Sequence, residues 1–183
     1  MRPIESDAIL SGLIDIKYDE IKSNEGKFAK IKNLQSNYVG QIGEEYVKQI
    51  LHYISNYEWQ PTLHGEYDIL LKSGIKIEVK TATKGCKVDS FQFNSINPSY
   101  NFDFLVCVGI CDDKVMFRIF KKSEIKTIDT DGIISYYIEQ DNLRKKISAM
   151  NPGNEVSHKL TLSTKQLHNY STFIEELKDI VNQ

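Results

Sequence analysis

The sequence predicts an α/β protein in which a mixed central β-sheet, containing a charged hairpin, is flanked by helices. Three stretches predict it. Residues 65 to 81, GEYDILLKSGIKIEVKT, alternate apolar and charged side chains at the period of a half-buried strand pair. Residues 39 to 54 repeat apolar side chains at helical spacing. Phe104 to Cys111 is a nearly continuous apolar run, as in a strand buried on both faces.

Length and composition bound the answer. A chain of 183 residues suits a single domain with an ample core, and 40% hydrophobic with 26% charged residues is ordinary for a soluble protein. No apolar run approaches the roughly 20 residues of a membrane span, and the N-terminus lacks a signal-peptide core, so the cytoplasm is the expected location. Cys86, Cys107 and Cys111 have neither an even count nor zinc-ligand spacing, which predicts reduced thiols. A net charge of −2 does not advertise a polyanion binder, yet basic residues cluster at Lys80, Lys84 and Lys87, at Lys121 and Lys122, and at Arg144 to Lys146. A basic cleft on a nearly neutral protein is therefore open to it.

Residues 5 to 24 read as a helix packed outside the central core, and residues 27 to 34 as a second helix or a linker. From Val39 to Ile54, Val39, Ile42, Gly43, Tyr46, Val47, Ile50 and Ile54 gather on one helical face. Gly40 and Gly43 suggest close approach to the sheet. Glu44 borders that face next to Leu51 and can look into a cleft, whereas Glu45 lies on the opposite border. Residues 57 to 64 read as an edge strand, because Pro61 removes a backbone donor.

The hairpin follows. A three-residue loop of Lys72, Ser73 and Gly74, with glycine in the left-handed conformation, sets Leu71 opposite Ile75, Ile69 opposite Ile77 and Asp68 opposite Glu78. A two-residue loop would oppose apolar and charged residues, so the alternation selects the longer one. Two carboxylates then face each other on the exposed side, with Lys80 two residues beyond Glu78. Like charges so placed repel, and a hard divalent cation relieves them best. A solvated polar face is the plainer alternative.

Downstream, Thr81 to Asp89 reads as a polar loop, and FQFNSI sets Phe91, Phe93 and Ile96 inward with Gln92 and Asn94 sharing the other face. After the apolar strand, VMFRIF returns as the next strand and is followed by a short segment capped by Ser123. Ile133 to Ile147 mixes apolar residues with a basic run, residues 151 to 154 form a turn, and Glu155 to Leu162 alternates like a strand. Ser163 and Gln166 form a capping box opening the last helix. Its stripe of Leu167, Tyr170, Ile174, Leu177 and Val181 is expected on the N-terminal helix or between two subunits.

Asp68, nine residues, then Glu78, Val79 and Lys80 resembles the active-site signature of the PD-(D/E)XK nuclease superfamily, with Tyr67 standing where the family name has proline. The Gly40-Gln41-Ile42-Gly43-Glu44 start of the preceding helix resembles that superfamily too, and within it the chain looks most like a small type II restriction endonuclease. The resemblance implies a restriction-endonuclease-like core over about residues 38 to 125. Residues 1 to 37 then form a helical appendage, and residues 126 to 183 carry DNA-recognition or dimerisation elements. It implies sequence-specific, Mg²⁺-dependent hydrolysis of double-stranded DNA by a homodimer, with Mn²⁺ able to substitute. Asp68, Glu78 and the Val79 carbonyl would hold the ion, Glu44 would reach it directly or through water, and Lys80 would orient water and offset developing charge. Expected DNA contacts are Thr83, Lys84, Lys87, Ser90, Gln92 and Asn94 near the hairpin. Farther on they are Arg144, Lys145, Asn154, His158 and Lys159. A structure- or lesion-specific nuclease of the same superfamily, and a non-catalytic nucleic-acid-binding module, are the alternatives.

Overall fold

The computed structural model describes residues 6–19, 28–55, 59–60, 65–84, 89–151 and 156–183. In chain order the elements are α1 (Ser6–Asp19), a 3-10 turn (Ala29–Asn33), α2 (Ser36–Ser55), β1 (Trp59–Gln60), β2 (Ile69–Leu71), β3 (Lys76–Thr83), β4 (Ser90–Ile96), β5 (Phe104–Ile110), β6 (Val115–Lys121), β7 (Ile125–Thr130), β8 (Ile133–Gln140), β9 (Leu143–Ala149), β10 (His158–Ser163) and α3 (Tyr170–Val181). They make a mixed α/β fold with two sheets and three helices. No described helix is long and apolar enough to cross a membrane.

The first sheet runs β1-β2-β3-β5-β6, parallel at β3/β5 and antiparallel elsewhere. β5 is buried at every position, as its unbroken apolar run requires, because it is covered on both sides. Phe104, Val106, Val108 and Ile110 pack with the helices, whereas Leu105 and Cys107 pack with the second sheet. That second sheet, β4-β10-β9-β8-β7, is antiparallel throughout. Its inner face is apolar, with Phe91, Phe93, Ile138, Ile147, Leu160 and Leu162 fully buried or nearly so.

Three expectations change. The N-terminal segments are built into the core, since Leu10, Ile14, Phe28 and Ile31 share one apolar cluster with Ile42 and Tyr46 of α2. The chain beyond residue 125 is equally integral: β10 pairs with β4, and the Phe173 ring of α3 stacks on Phe117 of β6 at 4.0 Å. Finally, the Ser163–Gln166 capping box closes a 3-10 turn, Thr164–Gln166, and α3 starts later, where Asn169 accepts the Thr172 N–H at 3.1 Å. The helix buries Phe173, Leu177 and Ile180 against β6 and α2, and of the expected stripe Leu177 is buried there while Tyr170, Ile174 and Val181 are partly buried against the same core.

FQFNSI changes parity between Phe93 and Ile96. The structure absorbs the change as a bulge, with Ser95 at φ 58° and the β10 register shifting between His158 and Leu160.

α2 is seated on β3 by one glycine. A Cβ on Gly43 would lie 1.7 Å from Thr81 Oγ1 and 2.8 Å from Thr81 Cβ, whereas one on Gly40 would meet nothing within 4 Å. Close approach therefore belongs to Gly43 alone of the two. It also buries Thr81 Oγ1 without a hydrogen-bond partner among the described atoms. Gly43→Ala gains roughly 1 kcal/mol of helix propensity but forces α2 outward, at about 1 to 3 kcal/mol for overpacking. Denaturant titration should show a net loss of stability. Thr81→Ala, which deletes two of the three obstructing atoms, should recover part of that loss in the double variant; strictly additive effects would refute the contact.

Candidate active site

β2 and β3 pair in the register the alternation selects, with Ile69 opposite Ile77 and Leu70 opposite Lys76. The Leu71 N–H donates to the Ile75 carbonyl at 2.8 Å, and Gly74 sits at φ 92° in the three-residue loop. Asp68, the residue before β2, continues alongside β3. Its N–H donates to the Ile77 carbonyl at 2.9 Å, and then the two strands part. The next N–H along β3 on that side, from Val79, goes to Asp68 Oδ2 at 2.7 Å. Because a strand residue projects its N–H and C=O to the same side, the Val79 carbonyl faces the opening beside the Asp68 carboxylate.

The charged face was expected in solvent, and here the structure corrects the sequence. Glu78 is only 3% exposed. Its face of β3 continues into Ala82 and, across the parallel register, Leu105 and Cys107, all in the core between the sheets. Lys80 forms an ion pair with Glu78 Oε1. Burial pushes the Glu78 carboxyl up to about 7, and Lys80 pulls it down, while the Asp68 charge and a hydrogen bond with Asp68 push it up again. Glu44 is raised as well, first by burial and then by Asp68, with Lys48 and Lys80 opposing. The charges of Asp68 and Lys80 thus act on both Glu44 and Glu78. Glu45 instead accepts a hydrogen bond from Gln49 at 3.1 Å along its own helix.

Two carboxylates and a backbone carbonyl at the mouth of a buried hairpin are the donor set of a hard divalent ion that retains several waters. Among the described residues no three His, Cys, Asp or Glu side chains converge to enclose an ion by themselves. Mg²⁺, which needs few protein ligands, is one ion such a set could hold.

Beside this cluster runs a groove of about 500 Å³ between the start of α2, β3 and the second sheet. Thr83, Ser90, Gln92 and Asn94 all line it, so four of the expected DNA contacts come together. Gln92 donates to Asn94 Oδ1 at 3.0 Å, which fixes both amides on the face expected of them. Sequence reasoning missed Ser36 and Thr161 in the same wall. Alternation along β10 signals Thr161, whereas nothing local signals Ser36. It also missed Lys48, whose position one helical turn from Glu44 was a readable signal.

Other expected contacts fare differently. Lys84 pairs with Asp89 at 2.8 Å, and Asp89 also accepts from the Thr164 hydroxyl, so this lysine braces the β3–β4 connection. His158 is 6% exposed, its ring edge-on to Tyr136 at 5.1 Å, which removes it from any groove-reading role. Burial lowers its pKa. Lys145 stands opposite buried Ile138 on the inner face of β9, so it cannot share a surface with Arg144. Arg144 and Lys159 lie on the outer face. Lys87 and Asn154 fall outside the described residues.

Compared with known proteins, the sequence matches no family model and no curated protein.

Glu78 makes the metal-free protein sensitive to pH. Its folded-state value of about 7 lies above the ordinary 4.5, so between those values the folded chain keeps a proton that the unfolded chain has released. Stability from this group is fully present below about 4.5 and is lost as pH rises to about 7. Glu78→Gln should flatten that fall, gaining on the parent as pH increases. Parallel stability curves for the two proteins, measured by urea titration without divalent ions, would count against a buried, proton-holding Glu78.

Proposed function

We propose that this chain is a Mg²⁺-dependent endonuclease of the PD-(D/E)XK kind, hydrolysing double-stranded DNA at specific sequences in the manner of a type II restriction enzyme. One observation carries the reading. Asp68 and Glu78 share a hydrogen bond where β2 parts from β3, with Lys80 paired to Glu78 and Glu44 of α2 near enough to feel the charges of Asp68 and Lys80. The preceding helix, the hairpin, and the parallel β3/β5 pair followed by antiparallel β6 support a restriction-endonuclease-like core.

Bound between Asp68, Glu78 and the Val79 carbonyl, Mg²⁺ would polarise the scissile phosphate and acidify water. The protein's own groups do the rest. Asp68 holds the Val79 N–H and so fixes the backbone whose carbonyl faces the site. Glu78, which holds a proton up to about pH 7 in the metal-free protein, would bind a divalent cation as the carboxylate, the cation's charge standing in for that proton. Lys80, paired with Glu78, would offset negative charge as it grows on a phosphate bound there. Glu44 adds a fourth charged group from the helix side. Gln92 and Asn94 supply donors and acceptors suited to base edges or phosphate oxygens in the adjoining groove. Cutting both strands of a palindrome calls for two such sites, which a homodimer supplies.

Purified protein incubated with plasmid DNA and Mg²⁺ should release discrete fragments. Asp68→Ala, Glu78→Ala and Lys80→Ala should each lower the rate by at least roughly a hundredfold, as expected for a lost charge-stabilising group, with unchanged circular dichroism. Glu44→Ala should have the smaller effect. Intact plasmid with both Mg²⁺ and Mn²⁺ would overturn the reading, and a smear without discrete bands would point to a nuclease selecting structure instead of sequence.

A further inference from the structure

The outer face of the second sheet carries a charge pattern that the hairpin site does not use. Buried Phe91, Phe93, Ile138, Ile147, Leu160 and Leu162 define its inner face, so alternate residues point outward. On β7 to β10 the charged outward residues are Lys126, Glu139, Arg144, Lys146 and Lys159, and Glu139 is already paired with Arg144 at 2.9 Å. That is a basic surface on a chain whose net charge is −2.

Register orders it into a line. Lys126 stands opposite Tyr137 and Tyr137 opposite Lys146, so an aromatic residue stands between two lysines whose backbones are roughly 10 Å apart, two strand spacings. The Arg144 guanidinium rests 5.0 Å from the centre of the same ring. At the far side of the sheet, Thr161 stands opposite Gln92, and both open into the groove beside β3. Lys126 donates to the Ser123 carbonyl at 2.7 Å, which orients its ammonium without neutralising it. Among the described residues neither Lys146 nor Lys159 has an ion pair.

We infer that this outer face is a track for the phosphate backbone of DNA, in which Lys126, Lys146 and Lys159 contact phosphates and the Tyr137 ring packs between them, delivering the duplex to the groove and so to the hairpin. The track rests on the nuclease reading for its occupant and deepens it. Phosphate contacts fix position without reading sequence, so this face sets affinity and register, while the groove amides are left to discriminate.

The test uses full-length Asp68→Ala protein, which cannot consume its ligand, and a short fluorescein-labelled DNA duplex followed by anisotropy across a salt series. Each phosphate contact contributes about 0.9 to the slope of log affinity against log salt. Adding Lys126→Ala, Lys146→Ala and Lys159→Ala together should therefore reduce the slope by about 2 to 3. Adding Lys145→Ala, on the inner face, should leave it unchanged. An unchanged slope in the triple variant overturns the track, as does an equal loss from Lys145→Ala. Wild-type protein that shows the expected slopes yet cuts no DNA with Mg²⁺ overturns the nuclease reading and leaves the track standing. Absence of any duplex binding removes both.

Discussion

Where β2 turns away from β3, the backbone of β3 would be left with an unmatched N–H at Val79, and the carboxylate of Asp68 supplies the missing acceptor at 2.7 Å. A buried amide without a partner costs on the order of 1 to 3 kcal/mol, so the side chain is held as firmly as a strand would be. That single bond does two things. It lets the hairpin open on one side without a backbone penalty, and it fixes one carboxylate against the Val79 backbone, within hydrogen-bond reach of the buried Glu78. Remove it and the opening loses both its edge and its charge.

The rest of the fold keeps that opening in place. From one side α2 comes in close because Gly43 has no side chain to strike Thr81, and this contact carries Glu44 toward Asp68. From the other side the second sheet closes over the Glu78 face, which is why an acid that would otherwise be exposed is nearly inaccessible. A carboxylate in such surroundings is destabilised unless a cation or a proton accompanies it. Lys80 provides part of that compensation through its ion pair with Glu78, and the proton retained to about pH 7 provides more. The buried site thus carries a deficit of positive charge.

Legibility in the sequence followed the range of the interactions involved. The hairpin register, its three-residue loop and the α2 face were readable because each depends on neighbours within a few positions. The choice of Glu44 over Glu45 was readable for the same reason, from position around one helix. The second sheet was not, because β4 and β10 are joined by pairing across more than sixty residues of chain, and alternation within either strand is equally compatible with another partner. His158 and Lys145 were misassigned on that account: once β8, β9 and β10 are paired, both fall on the inner parity of the sheet.

By itself, then, the sequence determined the elements that hydrogen-bond locally and the order of charges along the hairpin, since period and turn chemistry are written in adjacent residues. Tertiary structure alone decided which of those charges lose their water. Burial is a property of what packs opposite, and neither the helix lowered onto Thr81 nor the sheet laid over Glu78 is encoded near the residues they cover.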